Sequence, residues 1–410
     1  MSMQLENIFS QIENMKDEMT QRLMELIRIP AIGPENKGAG ESEKAEKLVQ
    51  ILDAIGFDKI ERHDAEDPRV PTGKRPNIIA HYHGEGEGEK LWIVTHLDVV
   101  PAGEESLWTV TKPFEPIIKD GKVYGRGSED NNQSLVASIF AVKALKNLGI
   151  RPKRTVALCF VSDEEYGSNM GIKYLIKKGL FRPDDLTVVP DFGSENGSFI
   201  EVAEKTVLWL EFHTFGKQTH ASTPAEGLNA HRIGMQYAMA LDDLLHERYS
   251  ARNKTFNPPE STFEPTKKEK NVDAINIVPP EDITCYDMRI LPQYSVEDII
   301  NTVQELAVDF EKRTGAKIAF KTLQKTVAAQ PTDPNSKIVI MLKEAIKKVR
   351  EVEPKAGGIG GGTCANYFRE AGVPAAVWST VDEMAHQPNE YTKIENMVND
   401  AKIFAYLATA

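Results

Sequence analysis

The feature that most constrains this chain is a rhythm of short apolar runs, separated by helical segments, with polar chelating side chains at their ends. Runs at residues 77–81, 91–95, 155–161 and 186–190 read as buried strands. Helical spacing covers residues 4–29, closed by Pro30, and residues 42–56, with Ser42 as N-cap and Gly56 at the end. Further helices are predicted at 135–148 and 171–178. Strands that alternate with helices predict an α/β fold, a sheet sandwiched by helices.

The pattern changes near residue 206. Residues 207–215 alternate, with Leu208, Leu210 and Phe212 on one side, and a helix is expected at 230–245. A polar, proline-bearing loop covers 251–271. Strands at 273–278 and 282–290, a helix at 296–314 and a strand at 317–323 complete a β-α-β-β-α-β order, that of a ferredoxin-like module. Then α/β signals resume: helix 336–349, strand 375–379, helix 395–408. The expected organisation is one domain of residues 1–205 and 325–410, interrupted by a second at 206–324, and 410 residues suit two domains.

Composition narrows the setting. The formal charge of −12 argues against nucleic-acid binding, which needs clustered Lys and Arg. No apolar run approaches the roughly 20 residues of a membrane helix, and the first residues are polar and acidic, unlike a signal peptide. Cys159, Cys285 and Cys364 form no CxxC pair and no disulfide framework, which suits a reducing compartment. The expectation is a cytoplasmic protein that binds neither nucleic acid nor membrane.

The strand ends carry the chemistry. His96 and Asp98 are i and i+2 in extended chain, so they project together, and Asp98 could hold the second ring nitrogen of a metal-bound His96. Taken alone, such a pair is more often a surface hydrogen bond. Gly125-Arg126-Gly127-Ser128-Glu129-Asp130 is glycine-punctuated and aims Asp130 from a tight turn, although an ordinary capped turn has the same look. Residues 155–161 lead into Ser162-Asp163-Glu164-Glu165. Neighbouring side chains diverge, so one glutamate can bind a metal while the other takes a proton from a water that the metal acidifies. Their spacing leaves open which does which. Asp191 ends the next run, and His386 follows residues 375–379. Recurrence at four strand ends gives a mixed nitrogen and oxygen set that zinc accepts.

In this order His96-x-Asp98, Gly125-Arg126-Gly127-x-x-Asp130, Asp163-Glu164-Glu165, Asp191 and His386-x-x-Asn389-Glu390 resemble the M20 family of metallopeptidases. That family takes in carboxypeptidases, N-acyl amino acid deacetylases and desuccinylases, and dipeptidases. The likeness spans nearly the whole chain. It implies a mixed-sheet, di-zinc exopeptidase-like catalytic domain with an inserted ferredoxin-like lid and dimerisation domain. It also implies two divalent metals per chain, zinc first, with cobalt or manganese as alternatives. By motif match, His96, Asp130 and Asp191 would hold one metal, while Asp130, as a bridge, Glu165 and His386 would hold the other. Asp98 would orient His96, and Glu164 would be the general base.

Three further segments concern substrate. Residues 216–222 resemble the lid segment whose histidine, here His220, stabilises the oxyanion from the partner subunit of a homodimer. Asn276 and Arg289 resemble lid residues that contact a substrate carboxylate, for which the guanidinium fork is suited. Gly361, Gly362 and Thr363 match a substrate loop. Each segment alone reads as plain loop or surface. The implied activity is hydrolysis of the amide bond in a small peptide or an N-acyl amino acid with a free carboxylate, so dipeptidase or exopeptidase on one side and deacylase or desuccinylase on the other. A two-metal nucleoside or phosphate hydrolase would need a basic phosphate cradle, which is missing near these motifs. A non-catalytic relative would lack Glu164 or a ligand, and all are present. One departure stands out: Asp130 is followed by Asn131-Asn132-Gln133-Ser134, where the family usually has lysine or methionine and then glycine. The substrate therefore stays open.

Overall fold

The computed structural model describes residues 3–86 and 88–410 and divides into two compact units. The first comprises Met1–Val202, Pro331–Gly357 and Thr363–Ala410; the second comprises Ala203–Gln330 and Gly358–Gly362. Apart from short two- and three-residue strands, the chain opens with β1 (Lys59–Arg62), β2 (Ile78–Tyr82), β3 (Leu91–His96), β4 (Val156–Val161), β5 (Leu186–Ser194) and β6 (Phe199–Glu204). The second unit adds β7 (Thr206–Phe215), β8 (Thr262–Lys268), β9 (Glu281–Ile290) and β10 (Lys317–Thr326), and β11 (Lys355–Ile359) and β12 (Ala375–Thr380) follow. The main helices are α1 (Met3–Asn14), α2 (Lys16–Ile27), α3 (Ser42–Ile55), α4 (Ser134–Asn147), α5 (Ala230–Arg248), α6 (Val296–Thr314), α7 (Lys337–Arg350) and α8 (Ile394–Thr409).

In the first unit an eight-stranded mixed sheet runs in the order β1-β2-β4-β3-β5-β12-β6-β11. Its centre is parallel: β3 pairs with β4 and with β5, and β5 pairs with β12, all in the same direction. Both faces of these strands are covered, which explains their continuous apolar runs. The period of two sorts the residues. Ile78, Ala80, Ile93, Leu158 and Val188 pack on one face with α1, α2, α4, α7 and α8. Ile79, Trp92, Val94, Cys159 and Val189 pack on the other, against the short helices Ile172–Lys177 and Ala365–Glu370. Among the described residues, no helix is long and apolar enough to cross a membrane.

In the second unit, β7–α5–β8–β9–α6–β10 builds one antiparallel sheet of order β8-β9-β7-β10. Leu208, Leu210 and Phe212 of β7 face its core with Tyr237 of α5 and Val303 of α6. Ser295 caps α6 through the amide of Asp298.

Three expectations change. The helix at 4–29 is two helices, broken at Met15 (φ −96°, ψ 4°). Ile8, Ile12, Met15 and Met19 stay buried across the break, so their spacing carries no trace of it. The strand expected at 273–278 shrinks to Ile277–Val278, which pairs with Thr219–His220. The sheet strand is β8 instead, inside the segment read as loop: only its Phe263 is buried, and Pro265 sits at a register shift, as edge strands allow. Finally, Glu41, not Ser42, precedes α3, and its carboxylate is drawn elsewhere.

That carboxylate meets Arg75, and both side chains are fully buried. Arg75 Nε donates to Glu41 at 2.7 Å, Nη1 donates to Asp67 at 3.4 Å, and Nη2 lies 3.7 Å from Asp163, beside the Glu164-Glu165 pair. Removing the guanidinium would strand buried carboxylates. Arg75→Ala should therefore lower the unfolding free energy by about 3–5 kcal/mol in urea titrations. A loss under about 1 kcal/mol would remove this cluster from the supports of the fold.

Candidate metal centre

The parallel core puts several strand ends on one edge, where open α/β sheets hold their sites. His96 closes β3, Glu164 and Glu165 form the short turn after β4, Asp191 lies within β5, and His386 follows β12. Asp163 makes the turn possible in the left-handed region (φ 64°), which Asp tolerates. Asp130 lies in a tight turn before α4. Gly127 (φ 79°) is needed there, because a Cβ would stand 2.6 Å from Val99 Cγ1.

These residues converge. His96 Nε2 is 2.8 Å from Asp130 Oδ1 and 3.2 Å from Asp191 Oδ1. His386 Nε2 is 3.2 Å from Asp130 Oδ2 and 3.1 Å from Glu165 Oε2. Asp130 thus presents one oxygen to each imidazole. The candidate ligand atoms of His96, Asp130 and Glu165 all lie within 4.8 Å of one another, and so do those of His96, Glu164 and Asp191. Both glutamates reach the cluster.

Asp98 serves both the imidazole and the glutamate turn. His96 Nδ1 lies 2.9 Å from the main-chain carbonyl of Asp98 and 3.6 Å from its carboxylate. The carboxylate also accepts the amides of Glu164 and Glu165, at 3.1 and 3.0 Å. It braces the glutamate turn more than the imidazole. Glu164 Oε1 accepts the amide of Cys364 at 3.1 Å.

The electrostatics follow from crowding. Burial raises the Glu164 carboxyl well above its ordinary range, and the charge of Asp191 adds to this. Burial and the charge of Asp130 push Glu165 up to about 7. Hydrogen bonds to Asp130 and Glu165 push His386 up to about 10. Burial alone would lower His96, but its bonds to Asp130, Asp191 and Asp98 outweigh that and raise it. Carboxylates here favour the cationic form of both imidazoles. A divalent ion between the same nitrogen and oxygen atoms would supply that positive charge instead. Glu165 Oε1, buried without a hydrogen-bond partner, is the kind of atom such an ion would satisfy. The donor set fits a metal.

Sequence reasoning overlooked three supports. Asn131 Nδ2 donates to Asp191 Oδ1 at 2.9 Å and to the carbonyl of Pro190 at 2.8 Å. Glu129 and Glu390, both buried, bind main-chain amides around Asp130 and His386. Glu390 stood in the sequence only as the end of the His386 motif, Asn131 only as a departure after Asp130, and Glu129 only as a neighbour of Asp130. A cavity of about 170 Å³ adjoins Asp130 and Asp191, with Phe192, Val381 and Ala385 as apolar lining and Glu129 and Glu383 as acids.

The remaining expected residues belong to the second unit, except Thr363. His220 is exposed, and its Nδ1 accepts the amide of Ser222 at 3.1 Å. Asn276 offers its carbonyl to the amide of Ala221 at 2.8 Å. Arg289 is already engaged: Nε and Nη2 grip Asp287 at 2.6 and 2.9 Å, and Nη1 donates to the carbonyl of Gly360 at 3.0 Å. Gly361 follows, and a Cβ on Gly362 would lie 3.3 Å from Glu204 Oε2. Thr363, in the first unit, accepts the amide of Ala365 through Oγ1 at 3.1 Å.

The profile of peptidase family M20/M25/M40 matches residues 92–410. The chain belongs to this family. It is 40% identical over 396 residues to an uncharacterised metallohydrolase of Methanocaldococcus jannaschii, covering 93% of this chain and 96% of that protein. It is 27% identical over 387 residues to a succinyl-diaminopimelate desuccinylase of Nitratiruptor, again covering 93% and 96%. The fold matches a dipeptidase from Saccharomyces cerevisiae with TM-score 0.72 at 20% identity, over 100% of this chain and 98% of that one. This M20 chain is therefore a metallohydrolase, a hydrolytic enzyme acting on amides. M20 metallohydrolases use divalent metals, and the His96–Asp130–Glu165 and His96–Glu164–Asp191 groups are the candidate ligands.

Proposed function

We propose that this M20 enzyme cleaves the amide bond of a short peptide or N-acyl amino acid with a free carboxylate, at two divalent metals held by the cluster around Asp130. The observation that carries this reading is the placement of Asp130, one oxygen toward His96 and the other toward His386. In it, His96 and Asp191 complete one position, and Glu165 and His386 the other. These residues would hold the metals, zinc by the nature of the donors, whose charge would acidify water and polarise the amide carbonyl.

The chain's own groups do the rest. Glu164, anchored at one oxygen by the Cys364 amide, takes the proton of the attacking water and passes it to the leaving nitrogen. Because Nδ1 of His220 accepts an amide, its proton sits on Nε2, which makes it a donor suited to a developing oxyanion. We assign that role across a homodimer formed through the ferredoxin-like lid of the second unit, with Asn276, Arg289 and the loop of Gly361, Gly362 and Thr363 on the carboxylate side. Since Asp287 occupies one edge of the Arg289 fork and the Gly360 carbonyl takes a proton of Nη1, a substrate carboxylate would share the remaining edge with that carbonyl. On the acyl side, the exposed Glu383 at the cavity disfavours an acyl group with a second carboxylate, such as succinyl. This favours dipeptides over desuccinylation.

A screen of dipeptides, N-acetyl and N-succinyl amino acids with Zn²⁺, Co²⁺ and Mn²⁺ should find hydrolysis that chelation abolishes. Glu164→Gln should keep its metals by elemental analysis yet lose on the order of 10²–10⁴ in kcat; near wild-type turnover would put the base elsewhere. Arg289→Ala should cost on the order of 2–5 kcal/mol in kcat/KM for substrates with a free carboxylate, and much less for their carboxyl-amides. Equal losses on both would move Arg289 out of the carboxylate site. His220→Ala alone should lose roughly 10²–10³ in kcat. Mixed with Glu164→Gln chains it should recover activity, because one site of each heterodimer then has both groups. Heterodimers verified by mass that stay inactive would refute the shared site.

A further inference from the structure

We propose that Glu129 and Glu390 are positioning residues that form a reciprocal carboxylate clasp, fixing the spacing of Asp130 and His386 and with it the second metal position. The inference rests on the metal-centre reading above. Glu129 adjoins Asp130 in sequence, but its carboxylate holds the segment ahead of His386: Oε1 accepts the amide of Asp382 at 2.6 Å and Oε2 that of Met384 at 2.5 Å. Glu390 lies just beyond His386, but its carboxylate holds the turn that carries Asp130. Its Oε1 accepts the amides of Glu129 at 2.9 Å and Asp130 at 3.1 Å. Its Oε2 accepts the amide of Gly127 at 2.8 Å and Nη1 of Arg126 at 2.7 Å. Each glutamate therefore sits beside one ligand and grips the backbone that presents the other.

Two observations make this more than ordinary packing. First, both oxygens of each carboxylate are committed to donors, and both residues are buried, Glu390 completely. Neither is arranged as a further ligand or as an acid, although both lie close to the cluster. Second, the His386 loop adopts a backbone that it would not keep unaided. Glu383 (φ 59°), His386 (φ 64°) and Asn389 (φ 58°) are all left-handed and none is glycine. Such residues persist where the surroundings over-determine them. Glu129 pins the loop before His386. After it, Asn389 accepts the amides of Thr109 and Val110 at 2.8 and 2.9 Å, and Glu390 locks into the Asp130 turn. His386 itself is more than half exposed, so its own packing does little to hold it.

The test is a Zn²⁺ titration of the full-length, metal-free protein against a competing chelator. Wild type should take two equivalents. In Glu129→Gln the first should bind as in wild type and the second 10–100-fold more weakly, the loss typical of groups that orient ligands; in Glu390→Gln, whose carboxylate holds the turn of the shared Asp130, the second should weaken by more than the first. Metal-free melting temperatures report any purely structural role. Equal weakening of both equivalents together with a lower melting temperature, or an unchanged second equivalent, would overturn the clasp. If Glu390→Gln does not fold, Glu129→Gln decides alone, since it gives up contacts to only two amides. A wild type that binds fewer than two Zn²⁺ would instead overturn the metal-centre reading, and so the two failures are distinguishable.

Discussion

Several carboxylates crowd around two imidazoles at one edge of the large sheet, and most of the local structure answers the repulsion among them. Asp130, Glu165 and Asp191 each lie within 3.2 Å of an imidazole nitrogen. Charge of one sign at such distances is costly in a partly buried site unless something opposes it. Positive charge, whether on the rings or on divalent ions, is the first answer. The second is rigidity, because like charges held by a loose frame would swing apart.

The frame is made largely of main-chain amides. The Asp98 carboxylate takes two from the glutamate turn, and Glu390 takes three from the Asp130 turn. Glu129 takes two from the His386 loop. These carboxylates work as struts and not as ligands. Beneath them, Arg75 ties Glu41, Asp67 and Asp163 into a buried ionic layer next to the glutamate turn. The family's acidic motifs thus mix two kinds of carboxylate. One faces the proposed ions, and the other is spent on the backbone.

This mixture explains what the sequence could and could not reveal. Strand ends carrying His96, Glu164, Glu165 and Asp191 were legible, because parallel strands buried on both faces are apolar throughout and the first polar residue marks the edge. The second unit's order was legible as well, although β8 was not: as an edge strand with one buried residue, it has the composition of a loop. Asp98 was legible only in part: a two-residue spacing places it by the His96 ring, 3.6 Å from Nδ1, but says nothing of the amides that arrive from a turn 66 residues on. Glu129 carried no role in the sequence for the same reason. Its partners lie more than 250 residues away.

The departure after Asp130 also becomes intelligible in these terms. Asn131 secures Asp191, Asn132 donates to the carbonyl of Gly127 at 2.7 Å, and Gln133 reaches Asp400 at 3.0 Å and the carbonyl of Thr380 at 2.8 Å. All three amides face inward and are buried. They brace the cluster from beneath, beside a nitrogen and oxygen donor set that includes Asp130 and Asp191. A change confined to bracing gives no reason for a change of reaction. Choice of substrate must then come from surfaces that the substrate can touch. On the proposed reading, in the first unit these are Phe192, Val381, Glu383 and Ala385, where an apolar wall meets an acidic residue beside Asp130 and Asp191. An uncharged or cationic group gains from both features, whereas an anionic one gains from the wall and loses to the acidic residue.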